Sequence, residues 1–473
     1  MSQARNLLFV VVCWTAIYLP GLGSLEIKGE EGRRILPAVT MLETGNFLVP
    51  QVGSEPYFRK PPLVNWLVAA SFKLTGFRNE WTARLPSALC VLAVALAFLT
   101  FARPLLGLNG SAFAALIWLV NFGMIEKGRL IEIEALYVSL FALAFICWLS
   151  WWREGRSAWL TWTIPWIFLG LGLLAKGPLH LFFFYSAVVA VLYYKGELRQ
   201  LSAPAHFIGL LIMIGIFAAW AVPYWQAMQE ADVAGNWMVQ LTGRFTGDDF
   251  KLQSWLLNIP RGLAYFLPWT LLLPLIARMK WADDNDRKMA RGLAWGAALP
   301  FLIVNLLPGG LPRYSMPALV PACWLMAMTL AAPEVAWGRR AISRRWRSRI
   351  ALQIAFCAGV LLLAYGFLLV PYLQRRSKVR PIAAQIDRQV PAGEPLYALD
   401  PDYQPFLFYV KSRLIYVQRI EEVPVTARYL LLQPELERAV MESPRWSPLR
   451  AQSIERITDY RNHTVVLAKI GER

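Results

Sequence analysis

Long apolar runs alternate with short polar segments along most of the chain. Eleven of these runs are about 16 to 23 residues long, the length that an α-helix needs to cross roughly 30 Å of hydrocarbon. They lie near residues 7–24, 85–106, 110–126, 134–151, 158–174, 178–194, 206–224, 263–278, 290–307, 314–332 and 350–372. The pattern predicts an all-α polytopic membrane domain over residues 1–372, with about 11 to 13 transmembrane helices.

The first apolar run has two interpretations. Like a cleavable signal peptide, it begins with a basic residue, Arg5, that is followed by an apolar stretch. However, no clear small-x-small cleavage site lies around Gly21 to Ser24. We therefore expect this run to stay in the protein as a membrane-spanning helix.

The basic residues predict how the helices are oriented. If the N-terminus is cytoplasmic, the inner loops carry these Lys and Arg residues: Arg103, Arg153, Arg156, Lys195, Arg199, Arg278, Lys280, Arg287, Lys288, Arg291, Arg339, Arg340, Arg344, Arg345, Arg347 and Arg349. This distribution obeys the positive-inside rule. It leaves a large first loop, residues 25–84, and a second loop, residues 225–262, on the outer side of the membrane.

The tail, residues 373–473, differs in character from the rest of the chain. From Gln374 onward the sequence turns polar, and short β-prone pieces alternate with helix-like segments. The β-prone pieces include Arg413–Val417, Tyr429–Leu432 and Thr464–Leu467. We predict a small soluble α/β domain on the outer side.

Composition agrees with lipid as the main solvent. Hydrophobic residues make up 57% of the chain and charged residues 17%, against about 25% charged residues in an average soluble protein. A net charge of +17 is also found in nucleic-acid-binding proteins, but here the Lys and Arg residues lie mostly in loops between apolar runs. We therefore predict no nucleic-acid partner. The five cysteines lie inside apolar runs without metal-ligand spacing and are expected to be packing residues.

The segment between the first two long runs contains three motifs. It reads Gly29-Glu30-Glu31-Gly32-Arg33-Arg34 near its start, Thr44-Gly45-Asn46-Phe47-Leu48-Val49-Pro50 in its middle and Tyr57-Phe58-Arg59-Lys60-Pro61-Pro62 at its end. This order and spacing resemble the first outer loop of the GT-C glycosyltransferases, specifically the bacterial relatives of protein O-mannosyltransferases and of the aminoarabinose transferase that modifies lipid A. In that family an Asp-Glu-x-Arg motif opens the loop and a Tyr-Phe-x-Lys-Pro motif closes it.

Later segments match further landmarks of the family in the same order. The run Arg129-Leu130-Ile131-Glu132-Ile133-Glu134-Ala135-Leu136 resembles the second acidic site, with Glu134 as the family's acid and Glu132 as its neighbour. Leu174-Ala175-Lys176-Gly177-Pro178 is similar to the Thr-Lys-Gly turn, and Arg244 and Leu311-Pro312-Arg313-Tyr314 follow. The resemblance covers most of residues 1–330, whereas the tail matches only in being a soluble outer domain.

The resemblance implies a chemical reaction. A sugar, hexosyl or pentosyl, would move from a polyprenyl-phosphate carrier to an acceptor at the periplasmic face of a bacterial inner membrane, in a single displacement with inversion. Because the leaving phosphate is anionic, the transition state needs fixed cations. Candidates for this role are Lys60, Lys176, Arg244 and Arg313.

The acceptor hydroxyl must also lose its proton, and a carboxylate can take it. By alignment Glu30 is this base, although the family usually has Asp there, so Glu31 stays an alternative. The resemblance implies that Glu134 is the second catalytic carboxylate. Arg33, Tyr57 and Tyr314 are the remaining candidate substrate contacts, together with Glu31.

The chain departs from the family in one respect. Some relatives have Glu before the loop Lys and a His in the large outer loop, a pair that can hold a metal, whereas this chain has Arg59 at the first position. Its three histidines, His180, His206 and His463, lie outside that loop. We therefore expect transfer without a metal or another cofactor. The expected partners are membrane lipid, the donor and a lipid, glycan or protein acceptor, and we expect a monomer.

Simpler interpretations remain for each candidate. Glu30 and Glu31 are also compatible with a solvated acidic pair, Glu132 and Glu134 with capping of a helix, and Lys176 with an interfacial anchor. Arg313 and Tyr314 are also compatible with an interfacial belt, and Tyr57 with an ordinary aromatic residue in an interfacial loop. The main alternative function is a transporter or flippase of lipid-linked sugars, although transporters tend to carry internal repeats and broken helices. The sugar and the acceptor stay open.

Overall fold

The computed structural model describes residues 3–53, 55–57, 60–228, 235, 237–238, 242, 250–281, 283–337, 340–401, 404–446, 450–459 and 461–471. The chain folds into two compact units. The first comprises Met1–Pro20, Arg59–Leu63 and Leu85–Phe367, and the second comprises Gly21–Phe58, Val64–Arg84 and Leu368–Arg473. The segment predicted as the first outer loop thus groups with the tail.

Helices account for most of the described chain. The α-helices of the N-terminal half are Gln3–Tyr18, Gly32–Thr44, Leu63–Thr75, Glu80–Phe101, Arg103–Leu119, Phe122–Lys127, Ile133–Arg153, Ala158–Ala175, Leu179–Lys195 and Pro204–Ala227. Those of the C-terminal half are Leu252–Leu256, Asn258–Ala264, Asp284–Leu306, Leu319–Ala331, Arg344–Ala364, Val370–Gln374, Arg380–Gln389 and Pro434–Met441. Shorter 3₁₀ segments include Gly29–Glu31, Trp269–Arg278 and Pro312–Ala318.

Several of these helices have the length and composition to cross a membrane. Among the described residues, seven qualify: Glu80–Phe101, Ile133–Arg153, Ala158–Ala175, Pro204–Ala227, Asp284–Leu306, Pro312–Ala331 and Arg344–Gln374. The shorter apolar helices Gln3–Tyr18, Leu63–Thr75 and Leu179–Lys195 accompany them. A multi-pass, mostly helical membrane protein is therefore confirmed, while the predicted number of 11 to 13 spans stays a prediction.

The run predicted near 263–278 is not a straight helix. Asn258–Ala264 and Trp269–Arg278 meet at an angle of 90°, and Pro268 lies between them, where its missing N–H and its ring prevent a continuous helix. The carbonyls of Tyr265 and Leu267 accept hydrogen bonds from the backbone N–H groups of Gly123 and Phe122, each 2.8 Å long. These bonds satisfy the backbone groups that the break would otherwise leave without a partner.

Small residues allow two helices of the first unit to pack closely. Gly292 and Gly296 form a Gly-x-x-x-Gly pair on Asp284–Leu306 and face Leu179–Lys195. A Cβ at Gly296 would lie 2.4 Å from the Cα of Ala187, a distance that no real contact adopts. The approach therefore requires glycine, as in many membrane helix pairs.

In the second unit, the segment before residue 84 is more ordered than a loop. It contains the helices Gly32–Thr44 and Leu63–Thr75 and a short antiparallel pairing of Gln51–Val52 with Glu55–Pro56. Gly32–Thr44 ends at Gly45, whose φ of 73° is the left-handed conformation typical of a helix C-terminus. The motif residues near 30 and 57 are thus held on defined elements.

The tail forms a five-stranded mixed sheet. Its strands lie in the order Leu414–Val417, Leu396–Leu399, Tyr429–Leu432, Thr464–Gly471 and Arg450–Thr458. The first three strands are parallel, and the last two join antiparallel. Leu399, Leu430, Leu432 and Trp446 contribute to its buried core. The predicted small α/β domain is confirmed as a C-terminal sheet domain with the helices Arg380–Gln389 and Pro434–Met441.

Ion pairs and hydrogen bonds join the early segment to the tail within the second unit. The Glu26 carboxylate accepts hydrogen bonds from the backbone N–H groups of Lys378, Val379 and Arg380, at 2.8, 2.9 and 3.2 Å. These groups belong to the start of Arg380–Gln389, so Glu26 caps that helix from a distant part of the sequence. Tyr409 donates a 2.8 Å hydrogen bond to Glu80.

Candidate active site

A buried carboxylate in the first unit contacts two cations from distant parts of the sequence. Glu134 Oε1 lies 3.1 Å from Lys176 Nζ and 3.4 Å from Arg313 Nε. The side chains of Glu134 and Lys176 are 9% and 10% exposed, whereas that of Arg313 is 35% exposed. The cluster is therefore mostly dry, but the guanidinium stays accessible.

Each member of this cluster stands at the end of an element. Glu134 lies in the first turn of Ile133–Arg153. Lys176 follows Ala158–Ala175, and the next residue, Gly177, has a φ of 123° that only glycine adopts easily. Arg313 lies in the 3₁₀ segment Pro312–Ala318. The chain thus turns at the points where these charges meet.

Two aromatic rings flank the Lys176 ammonium. Its Nζ lies 4.5 Å from the centre of the Tyr314 ring and 5.1 Å from that of Tyr137. Both distances are within cation–π range. Tyr314, a predicted substrate contact, is thus placed beside Lys176, and Tyr137 is an addition that the sequence did not single out.

A second buried charged group, centred on Lys127, lies close in sequence to Glu134, and the sequence motifs did not predict it. Lys127 Nζ contacts Glu126 Oε1 at 3.0 Å and Glu132 Oε2 at 2.9 Å, and the lysine side chain is only 8% exposed. Burial lowers the pKa of Lys127, but the carboxylates of Glu132 and Glu126 outweigh this effect and raise it above its ordinary value. Glu132 therefore has its own cation, separate from those of Glu134. In the sequence, Glu126 and Lys127 form an adjacent acid–base pair, which is too common a pattern to indicate a site.

The predicted base, Glu30, lies in the second unit. It belongs to the 3₁₀ turn Gly29–Glu31, and its carboxylate contacts Arg33 Nη1 at 3.1 Å and Arg34 Nη2 at 4.0 Å. Arg34 also donates a 2.9 Å hydrogen bond to the Tyr57 hydroxyl. The Glu30 side chain remains 38% exposed. Glu30 thus contacts the candidate residue Arg33 directly and is linked to Tyr57 through Arg34.

The neighbouring acid, Glu31, has a different environment. Its two oxygens accept hydrogen bonds of 2.8 Å each from Nε and Nη2 of Arg84. Both side chains are buried, and Arg84 Nη1 also donates to the carbonyls of Leu22 and Leu25 at 2.9 Å. This bidentate pair holds the turn in place. Arg84 was missed, because an arginine at the start of an apolar run looks like an ordinary flanking charge.

The other predicted residues are placed as follows. Lys60 is a half-buried residue of the first unit. Arg244 lies outside the described residues. Within the described ranges, no group of three or more His, Cys, Asp and Glu side chains has the arrangement of a metal site. The expectation that the carboxylates near 30 and 134 share a cavity stays a prediction.

Comparison with known proteins supports the family resemblance. The family model described as dolichyl-phosphate-mannose-protein mannosyltransferase matches residues 59–225. The undecaprenyl phosphate-alpha-4-amino-4-deoxy-L-arabinose arabinosyl transferase of Pseudomonas savastanoi pv. phaseolicola is 30% identical over 341 residues, which cover 70% of this chain and 62% of that protein. The enzyme of the same name from Pseudomonas paraeruginosa is 27% identical over 394 residues, covering 80% of this chain and 67% of that protein. The matched part thus spans less than two thirds of the first relative's length and 67% of the second's.

A solved structure agrees over nearly the whole chain. The crystal structure of ArnT from Cupriavidus metallidurans bound to undecaprenyl phosphate superposes with a TM-score of 0.70 at 17% sequence identity. The match covers 98% of this chain and 97% of that one. The fold therefore agrees in both the helical part and the tail, and the resemblance predicted from the motifs is confirmed. The chain is therefore similar in sequence to the bacterial aminoarabinose transferases and has the GT-C membrane fold of ArnT.

Proposed function

We propose that this protein is a glycosyltransferase that moves a sugar from a polyprenyl-phosphate carrier to an acceptor. The observation that carries the proposal is the meeting of Glu134, Lys176 and Arg313, which the family motifs single out at three distant positions. The names of the relatives, which specify undecaprenyl phosphate and an aminopentose, support a pentosyl donor of this kind.

The charges in the first unit suit a phosphate leaving group. As the bond between the anomeric carbon and the phosphate oxygen breaks, the oxygen takes the bonding electrons, and negative charge grows on the carrier phosphate. Lys176 and Arg313 provide cations for it, and the guanidinium can bind two oxygens at once. Glu134 holds both cations in place before the phosphate arrives, so little reorganisation is needed in the transition state.

Glu30 is the better candidate for the base. Both oxygens of Glu31 accept hydrogen bonds from Arg84, whereas Glu30 keeps more than a third of its side chain exposed. An acceptor hydroxyl that approaches Glu30 can transfer its proton to the carboxylate as its oxygen attacks the anomeric carbon. This single displacement inverts the configuration at that carbon. Arg33 and Tyr57 are the candidate contacts that orient the substrate, and Lys60 and Arg244 are further candidates for the phosphate.

We further propose that the N-terminus is cytoplasmic and that the tail domain is periplasmic in a bacterial inner membrane. The Lys and Arg residues of the predicted inner loops support this orientation through the positive-inside rule. The reaction would then take place on the outer side, where the carrier's long chain lies in lipid. We propose that a monomer carries it out, without a metal or a cofactor.

The proposal is tested by transfer from a labelled donor. The purified protein is incubated with undecaprenyl-phosphate-linked 4-amino-4-deoxyarabinose and an extract of bacterial envelope lipids, and the labelled products are separated. We expect a labelled acceptor from the wild type and at least a hundredfold lower rate from Glu134→Gln, a loss comparable to that of one charge-stabilising group in other enzymes. The matched control is Glu334→Gln, which removes the carboxylate of an exposed pair with Lys280 and should leave the rate unchanged.

Two outcomes would contradict the proposal. Equal rates in the wild type and Glu134→Gln would show that the charged cluster does not serve transfer. Movement of intact donor across reconstituted vesicles, without cleavage of its sugar–phosphate bond, would instead support a flippase of lipid-linked sugars.

A further inference from the structure

We propose that a basic cavity beside the end of the last long span binds the phosphate group of an anionic membrane lipid. The proposal rests on the orientation given under the proposed function, but not on transferase activity. The cavity belongs to the second unit and has a volume of about 580 Å³. This is within the range of roughly 300 to 1,000 Å³ that is typical of small-molecule sites.

Four cationic side chains line this cavity. They are Lys28, Arg376, Lys378 and Arg461, which come from three separate parts of the sequence. The fold holds Arg461 close to the turn before Glu30, because a Cβ at Gly29 would lie only 2.8 Å from Arg461 Nη2. Gly29 also has a φ of 59°, so two constraints favour glycine at this position. The convergence of charges is therefore built into the fold.

The acid that lines the cavity, Glu26, offsets only one of these four positive charges. Glu26 is 8% exposed, and its oxygens accept the three backbone hydrogen bonds from Lys378, Val379 and Arg380. Its charge is therefore used to cap a helix. Among the lining residues, four positive charges face one negative charge, so the cavity favours an anion. Guanidinium groups and ammonium groups are the side chains that proteins use to bind phosphate.

The position of the cavity indicates a lipid headgroup as the source of the phosphate. Leu373 and Gln374 also line it, and they are the last residues of the candidate span Arg344–Gln374. The end of a span lies at the depth of the lipid headgroups. On the cytoplasmic side of membranes, basic clusters next to a span bind anionic lipids, and the same attraction between cations and phosphate acts at this end of the span.

The orientation gives an independent argument. The run Arg375-Arg376-Ser377-Lys378-Val379-Arg380 follows a span on the side that the topology assigns to the periplasm. There, the positive-inside rule disfavours basic residues near the membrane. A cluster that opposes this bias needs another reason for being present, and an anionic ligand provides one.

The test measures lipid binding by the full-length protein in a neutral detergent. Phosphatidylglycerol, phosphatidylcholine and inorganic phosphate are titrated separately, and bound lipid is counted by native mass spectrometry. We expect phosphatidylglycerol to bind the wild type in preference to phosphatidylcholine. The double variant Arg376→Gln/Lys378→Gln should bind it about twenty-five-fold more weakly, since each Lys or Arg near an anionic lipid contributes roughly fivefold. Inorganic phosphate should compete only at much higher concentration if the lipid is the ligand.

The control variant is Arg375→Gln. It removes one positive charge from the same basic run, but Arg375 does not line the cavity, so phosphatidylglycerol should bind as in the wild type. Melting temperatures without added lipid should agree among the three proteins, which shows that the variants are folded.

An equal loss of phosphatidylglycerol binding in Arg375→Gln and the double variant, or no loss in either, would overturn the proposal. Inorganic phosphate that competes as well as the lipid does would assign the cavity to a free anion. Since no transfer is measured, these results stand apart from those of the glycosylation assay.

Discussion

The adjacent acids Glu30 and Glu31 are expected to respond in opposite ways to the same substitution. Glu31→Gln breaks a bidentate pair with Arg84 in which the side chains are 4% and 3% exposed, so screening by solvent is weak. Removing one partner of a buried pair costs about 3–5 kcal/mol, because the other charge stays buried. Glu30 is 38% exposed, and an exposed pair such as Glu30–Arg33 contributes only about 0–1 kcal/mol.

The assay compares stability with transfer in the same preparations. A stability loss of about 3 kcal/mol lowers the melting temperature by roughly 5 °C or more in a domain of 150 to 250 residues. We therefore expect Glu31→Gln to melt several degrees below the wild type, and Glu30→Gln to melt with the wild type but to lose transfer. Arg84→Met, which removes the other partner, should melt as low as Glu31→Gln. If Glu31→Gln kept the wild-type melting temperature and lost transfer, Glu31 would be the base and our assignment would be wrong.

Two further predictions concern packing and metal ions. Gly296→Leu should lower the melting temperature by several degrees, because the new Cβ would lie 2.4 Å from the Cα of Ala187. Such overpacking costs about 1–3 kcal/mol or more of stability. The control is Gly359→Leu, whose Cβ would meet no described atom within 4 Å. Treatment with EDTA followed by removal of the chelator should leave transfer unchanged, because the family resemblance places Arg59 at a position where a metal-binding member would be expected to have Glu. Activity that returned only on adding a divalent metal would refute this.

The sequence predicted the mostly helical, membrane-spanning character of the chain, because each long apolar run must satisfy its backbone hydrogen bonds within lipid. The sequence did not predict the break around Pro268, because proline is often tolerated inside a spanning run. The bend is stabilised by hydrogen bonds from the backbone N–H groups of Phe122 and Gly123, which come from a distant part of the sequence. The helices Gly32–Thr44 and Leu63–Thr75 were also missed, since they lie in a segment that was treated as a loop.

The sequence predicted those residues of the candidate site that belong to a recognisable motif. Glu134, Lys176, Arg313 and Tyr314 were singled out from local runs, and the structure brings them together. Their partners could not be found in this way, because a partner such as Arg84 is defined by a contact over 53 positions in sequence and not by a local pattern. Arg347 is a similar case: it was counted as a topology signal, yet its guanidinium also donates to the carbonyls of Leu330 and Ala332 at the end of a helix.

The electrostatic settings of the two predicted catalytic carboxylates imply different tasks. Glu134 already contacts two cations, so accepting a proton would weaken two ion pairs at the moment when those cations must stabilise a phosphate. Glu30 contacts Arg33 at 3.1 Å and Arg34 at the longer distance of 4.0 Å, and it keeps an exposed face, so it can approach a hydroxyl at lower cost. We infer that Glu134 positions the cations for the leaving group, whereas Glu30 takes the proton. In this division of tasks, the proton and the leaving phosphate are handled by different side chains, so protonation of Glu30 leaves the two ion pairs of Glu134 intact.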